Sequence, residues 1–142
     1  ETCVKIKAEI VLQDERDTGL RRLLNFGHTL GHAYELYYNY ERYCHGQAVG
    51  AGMCAAADLG HMLGITPPEV PEQIRAMIKK FGLPDRIECP LEAYAQAAAL
   101  DKKSEGAEIS MIFLAEIGNA QAIRLDKDKA MSLIQTWLEG QN

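Results

Sequence analysis

The chain contains no apolar run approaching the ~20 residues that a membrane-spanning helix requires, and its first residues carry no signal-peptide apolar core. The expectation is no membrane partner and a cytoplasmic setting. Positive charge is also short: Lys and Arg number 15 against 20 Asp and Glu, for a net charge of −5. That leaves no dense basic surface for nucleic acid, so any anion must be met by a local basic cluster. Cysteine is sparse and unpaired in pattern. Cys3, Cys44, Cys54 and Cys89 form no CxxC pair, and a 142-residue chain of 47% hydrophobic content can bury a core without covalent staples. They are expected to be reduced, mostly buried thiols in a single domain, residues 1–142, with no internal repeat or low-complexity segment.

Apolar spacing and breaker residues predict a mainly α domain, α+β overall, with several helices and one small hairpin. A helix is expected over residues 2–12, ended by the charged run 14–19. The next runs from near Asn25 to about Tyr38, and Asn39 to Arg42 connect it to Cys44, His45 and Gly46. Residues 47–63 are almost wholly small and apolar, which marks a central buried helix. After Gly64 and Pro67-Pro68, residues 71–81 form an amphipathic helix with Ile74, Met77, Ile78 and Phe81 on one side. An alanine-rich helix over 91–100 leads to Asp101-Lys102-Lys103. Ile109–Leu114 and Ala120–Leu125 flank a turn and form the hairpin, and residues 127–139 form the last helix. Residues 3–11 read as the middle of a helix with no cap and no initiator methionine, so the chain is expected to be a piece of something longer.

Three of the four histidines fall in two glycine-framed clusters, Gly27-His28-Thr29-Leu30-Gly31-His32 and His45-Gly46. His28 and His32 are four apart and so leave one face of a helix, while Gly27 and Gly31 keep the same spacing on the next stripe. Two glycines inside one helix cost roughly 1 kcal/mol each relative to alanine, which suggests that close approach of a backbone or ligand keeps them. Two hydrogen-bonded core imidazoles would explain a lone pair. His45 changes the balance, because a helical hairpin can return it to His28, and a catalytic zinc wants three protein ligands with one open position. Glu35 falls two turns from His28 and is not an obvious third ligand, so that ligand is expected outside these residues. Glu35 could instead pair with His32 or remain on the surface. Arg21 and Asn25, four apart, continue the histidine face, and an arginine fork suits carboxylate or phosphate. Arg22 points elsewhere on a helix, and His61 reads as a surface histidine.

The run from Asn25 to Ala33, with His45-Gly46, Ala48-Val49 and Gly52-Met53, closely resembles 3-dehydroquinate synthase. The likeness extends through Lys7-Ala8, Asp14-Glu15-Arg16, Gly82-Leu83-Pro84, Asp101-Lys102-Lys103 and Glu116-Ile117-Gly118, covering essentially the whole chain. It is a likeness to the helical C-terminal part of that enzyme, whose N-terminal α/β part holds NAD. The resemblance implies a zinc, or another divalent metal such as cobalt, held by His28, His45 and a glutamate from before this region. It implies substrate contacts from Lys7, Arg21, Asn25, His32 and one of Lys102 and Lys103, with Lys7 and His32 also serving the chemistry. The implied reaction is a lyase step of the shikimate pathway to aromatic amino acids. It turns a small anionic sugar phosphate, 3-deoxy-D-arabino-heptulosonate 7-phosphate, into 3-dehydroquinate and phosphate, and the full-length enzyme is implied to be a homodimer.

Two departures qualify the likeness. Gln47 stands where the family usually has glutamate. Neither a glycine-rich dinucleotide fingerprint nor the glutamate ligand occurs in these residues, so they are expected to be inactive alone. The rival readings are another sugar phosphate cyclase such as 2-deoxy-scyllo-inosose synthase, a metal-dependent polyol or alcohol dehydrogenase, and a stand-alone metal-binding helical module.

Overall fold

The computed structural model describes residues 1–14, 19–100 and 107–141. Its elements run α1 (Thr2–Gln13), a 3-10 turn (Leu20–Asn25), α2 (His28–Tyr37), α3 (His45–Met62), α4 (Val70–Lys80), α5 (Leu91–Leu100), β1 (Glu108–Glu116), β2 (Asn119–Asp126) and α6 (Lys127–Glu139). The mainly helical class with one antiparallel hairpin is as the sequence predicts. No helix among the described residues is long and apolar enough to cross a membrane.

The core forms where small side chains let helices meet closely. The alanines of α3, with Leu59, bury against Leu30, Ala33 and Tyr34 of α2, and the same core takes in Ala93, Tyr94, Ala97 and Ala98 of α5, which packs on α2 and α6, with Ile134 and Trp137 of α6. α3 is thus the buried centre that its composition demands. Ile109, Met111 and Phe113 point from alternate positions of β1 into this core, leaving Ser110 and Ile112 for the opposite face. Ser110 pairs directly with Arg124 of β2, so both side chains share that opposite face. The hairpin is longer than expected, because pairing continues to Glu116 and Asn119 around a turn in which Gly118 has φ +90°.

Several boundaries differ from expectation. The helix expected from Asn25 begins at His28, because Gly27 adopts a left-handed backbone, φ +81°, after a separate 3-10 turn. Gly27 therefore caps α2 from outside it. α3 starts two residues early, at His45, because Gln47 caps it: the Cys44 amide donates to Gln47 Oε1 at 2.9 Å. On α4 only Val70 and Ile78 are buried, while Met77 and Phe81 stand exposed. All four cysteines are free, but only Cys54 and Cys89 are buried; Cys3 and Cys44 are exposed, which corrects the expectation of mostly buried thiols. Burial pushes the thiol of Cys54 up to about 11 and that of Cys89 to about 12.

α6 is tied to α3 by a polar triangle. Asp58 accepts two hydrogen bonds from Arg75 Nη2, at 2.9 and 3.0 Å, and one from Trp137 Nε1 at 3.1 Å. These groups are largely shielded, so removing the acceptor strands the Trp137 donor and leaves Arg75 with its longer pairs to Glu72 and Asp85. Asp58→Ala should destabilise the chain by about 2 kcal/mol. Urea unfolding followed through the single tryptophan would measure it, and an unchanged midpoint would show that the triangle contributes nothing.

Candidate metal and anion site

The site grows from the way α2 and α3 meet. Asn39 and Tyr40, with φ of 52° and 59°, turn the chain sharply after α2, and the Tyr40 amide closes back on the Glu35 carbonyl at 2.8 Å. α3 then returns along α2. Glycines make the contact intimate: a methyl on Gly52 would collide with the Gly27 carbonyl oxygen and stand 2.8 Å from the Gly31 nitrogen. One on Gly31 would lie 3.1 Å from the Val49 backbone. The close approach inferred from the glycine stripe is therefore a backbone-to-backbone one between α2 and α3.

This packing brings the three predicted histidines together. The His28 ring lies 5.2 Å from that of His45 and 6.1 Å from that of His32, and the His32 and His45 rings are 6.2 Å apart. His32 and His45 are more than half exposed. His28 is set deeper, with its Nδ1 buried and without a hydrogen-bond partner. Burial holds the His28 imidazole below its ordinary range; His45 and His32 act in the same direction, and the Phe26 carbonyl and Glu35 oppose it. A neutral imidazole is the form that binds a metal.

Glu35 is the residue that sequence reasoning undervalued. It is buried, 5% exposed, which removes the surface alternative. His45 Nδ1–H donates to its Oε1 at 2.9 Å, and His32 Nε2 lies 3.9 Å from its Oε2. The expected pairing with His32 is thus the looser of two, and the main partner is His45. His32, Glu35 and His45 present ligand atoms within 4.8 Å of one another. The signal was available in the spacing of Glu35 from His32, but only tertiary packing brings His45 onto the same carboxylate.

Two clefts meet at Asn25 and His28. Cys3, Ile6, Lys7, Arg21 and Leu24 complete the first, so Lys7, Arg21 and Asn25 do converge beside His28. Asp14 positions this segment by accepting the amides of Gly19 at 2.7 Å and Arg21 at 3.0 Å. The second cleft, of about 140 Å³, is walled by Arg22, Thr29, His32, Ser110, Ile112 and Arg124. Arg22, set aside on helical geometry, lines it because residues 20–25 form a 3-10 turn and not the start of α2. Arg124 and Ser110 join through hairpin register, which a motif does not reveal. Lys102 and Lys103 lie outside the described residues. His61 is exposed, as expected, and its Nδ1–H donates to the Thr66 carbonyl at 3.1 Å.

The donor chemistry fits a divalent metal. A shielded imidazole nitrogen without a partner sits among further imidazoles at the mouth of a cleft that arginine, asparagine and serine also line, and imidazole suits zinc and cobalt alike. Arginine, asparagine and lysine on either side suit the charged ends of a small anion.

Residues 1–104 match the family model described as 3-dehydroquinate synthase C-terminal. A 3-dehydroquinate synthase of Clostridium acetobutylicum is 42% identical over 118 residues, which cover 82% of this chain and 33% of that protein. One of Helicobacter pylori is 38% identical over 136 residues, covering 94% and 40% respectively. In fold the chain is similar to 2-deoxy-scyllo-inosose synthase, in a crystal structure complexed with carbaglucose-6-phosphate, NAD+ and Co2+. The TM-score is 0.79 at 20% identity, over 94% of this chain and 40% of the other. The chain spans between a third and two fifths of the length of these relatives. With the family model matched over most of its length and its histidines gathered beside an arginine-lined cleft, the chain belongs to the 3-dehydroquinate synthase family, in its C-terminal part.

Proposed function

We propose that this chain is the metal- and substrate-holding part of a 3-dehydroquinate synthase. In the complete protein it serves the conversion of 3-deoxy-D-arabino-heptulosonate 7-phosphate to 3-dehydroquinate and phosphate, in the shikimate pathway. The observation that carries this reading is the meeting of His28, His45 and His32 where the two basic clefts join, in a chain of this family. His28 and His45 are the residues that would hold the metal, zinc in our reading, with a third ligand from outside these residues. When bound, the metal would supply acidification of substrate hydroxyls and NAD would supply the redox chemistry.

The chain's own residues supply placement. Lys7, Arg21 and Asn25 line one cleft, where they can hold a carboxylate or phosphate and fix the substrate over the histidines. His32 stands at the second cleft, exposed enough to meet substrate and 3.9 Å from the Glu35 carboxylate that holds His45. Arg22 and Arg124 add positive charge to that second wall, which favours the charge released with departing phosphate. In this reading NAD is held mainly by an N-terminal α/β part, and the complete enzyme is a cytoplasmic homodimer.

The test is turnover by the complete protein supplied with divalent metal and NAD. Release of phosphate from the heptulosonate phosphate, with 3-dehydroquinate formed in equal amount, is the expected result. If a hexose 6-phosphate is turned over and the heptulosonate is not, the assignment moves to the 2-deoxy-scyllo-inosose synthase activity that the fold and Gln47 also allow.

A further inference from the structure

Resting on the metal centre proposed above, we propose that Glu35 is a positioning residue for it: its carboxylate accepts His45 Nδ1–H, directs His45 Nε2 to the metal, and links that ligand to His32. The observation is a carboxylate with 6% of its side chain exposed, set beneath two imidazoles whose side chains are 58% and 56% exposed. A buried carboxylate needs partners, and these imidazoles are the ones that the described residues provide.

Geometry favours the positioning role over direct ligation. Ligand atoms on a tetrahedral zinc, each about 2.1 Å from the ion, stand about 3.4 Å apart. Glu35 Oε1 and His45 Nδ1 are 2.9 Å apart, a hydrogen-bond distance. With Nδ1 engaged from below, Nε2 becomes the free nitrogen on the exposed side, the tautomer that a ligating histidine requires. Backbone structure holds the carboxylate in place, since the carbonyl of the same residue accepts the Tyr40 amide that closes α2. Through Oε2, 3.9 Å from His32 Nε2, the same group reaches a histidine that lines the substrate cleft. One carboxylate therefore sets a metal ligand and stands within ion-pair reach of a substrate contact.

The experiment uses the complete protein with zinc or cobalt, reading metal affinity by chelator competition and ligand number from the visible spectrum of the cobalt form. Glu35→Ala and Glu35→Leu both remove the acceptor, and the leucine variant fills the buried space if alanine fails to fold. Either should weaken metal binding about tenfold with the cobalt spectrum keeping its ligand number. Glu35→Gln, which retains an acceptor, should recover most of that loss. The acceptor-free variants should also raise the substrate KM at saturating metal, through His32. Wild-type affinity in a folded acceptor-free variant overturns the proposal, as does a changed cobalt ligand number with a loss as deep as that of His45→Ala. Retention of metal by His45→Ala would instead sink the metal-centre reading itself, so the two failures are distinguishable.

Discussion

In the complete protein, His28→Ala and His45→Ala should each lose the divalent metal, whereas His32→Ala should keep it and lose turnover. Structural zinc sites carry about 10–16 kcal/mol over four ligands, so one imidazole is worth about 3 kcal/mol, on the order of a hundredfold in affinity. His28 and His45 stand nearest each other among the three rings, and His28 holds a shielded nitrogen without a partner. His32 is the most displaced from that pair and faces the second cleft. Metal content after gel filtration, set beside activity at saturating metal, separates the two classes. Equal loss of metal in His32→Ala and His28→Ala would return His32 to the ligand set.

Gly52→Ala should strongly destabilise the chain. The added carbon meets the Gly27 carbonyl oxygen and the Gly31 nitrogen, which are backbone atoms that cannot rotate away as a side chain would. Overpacking of this kind costs about 3 kcal/mol, and relief requires α2 and α3 to part. Gly46→Ala is the matched control, since a methyl there meets nothing within 4 Å. Urea midpoints of the two variants give the comparison, and coincident midpoints would refute the close approach of the helices.

Most of the helical architecture was legible because apolar spacing and breakers act locally. α3 announced its burial by composition, and the hairpin by two apolar runs around Gly118. The convergence of His28 with His45 was legible too, since helices joined by a short connection pack antiparallel. What sequence could not carry was conformation and register. The left-handed backbone at Gly27 separates a 3-10 turn from α2 and swings Arg22 into the cleft. Arg124 and Ser110 reach it only because β1 and β2 pair as they do. Glu35 was measured along the helix against His28, while its partner arrives from the next helix.

Gln47 has an electrostatic consequence at the end of α3 that bears His45. The N-terminus of a helix carries roughly half a positive charge, and an acidic side chain in its first turn would offset it by about 0.3–1 kcal/mol. The amide of Gln47 closes the cap without adding a charge, and no acidic residue stands in that first turn. The helix end under His45 thus keeps its positive potential, which opposes a bound cation and welcomes an anion. Among the described residues Glu35 is the carboxylate that touches His45, so at this end of α3 it is what these residues set against the helix's positive end.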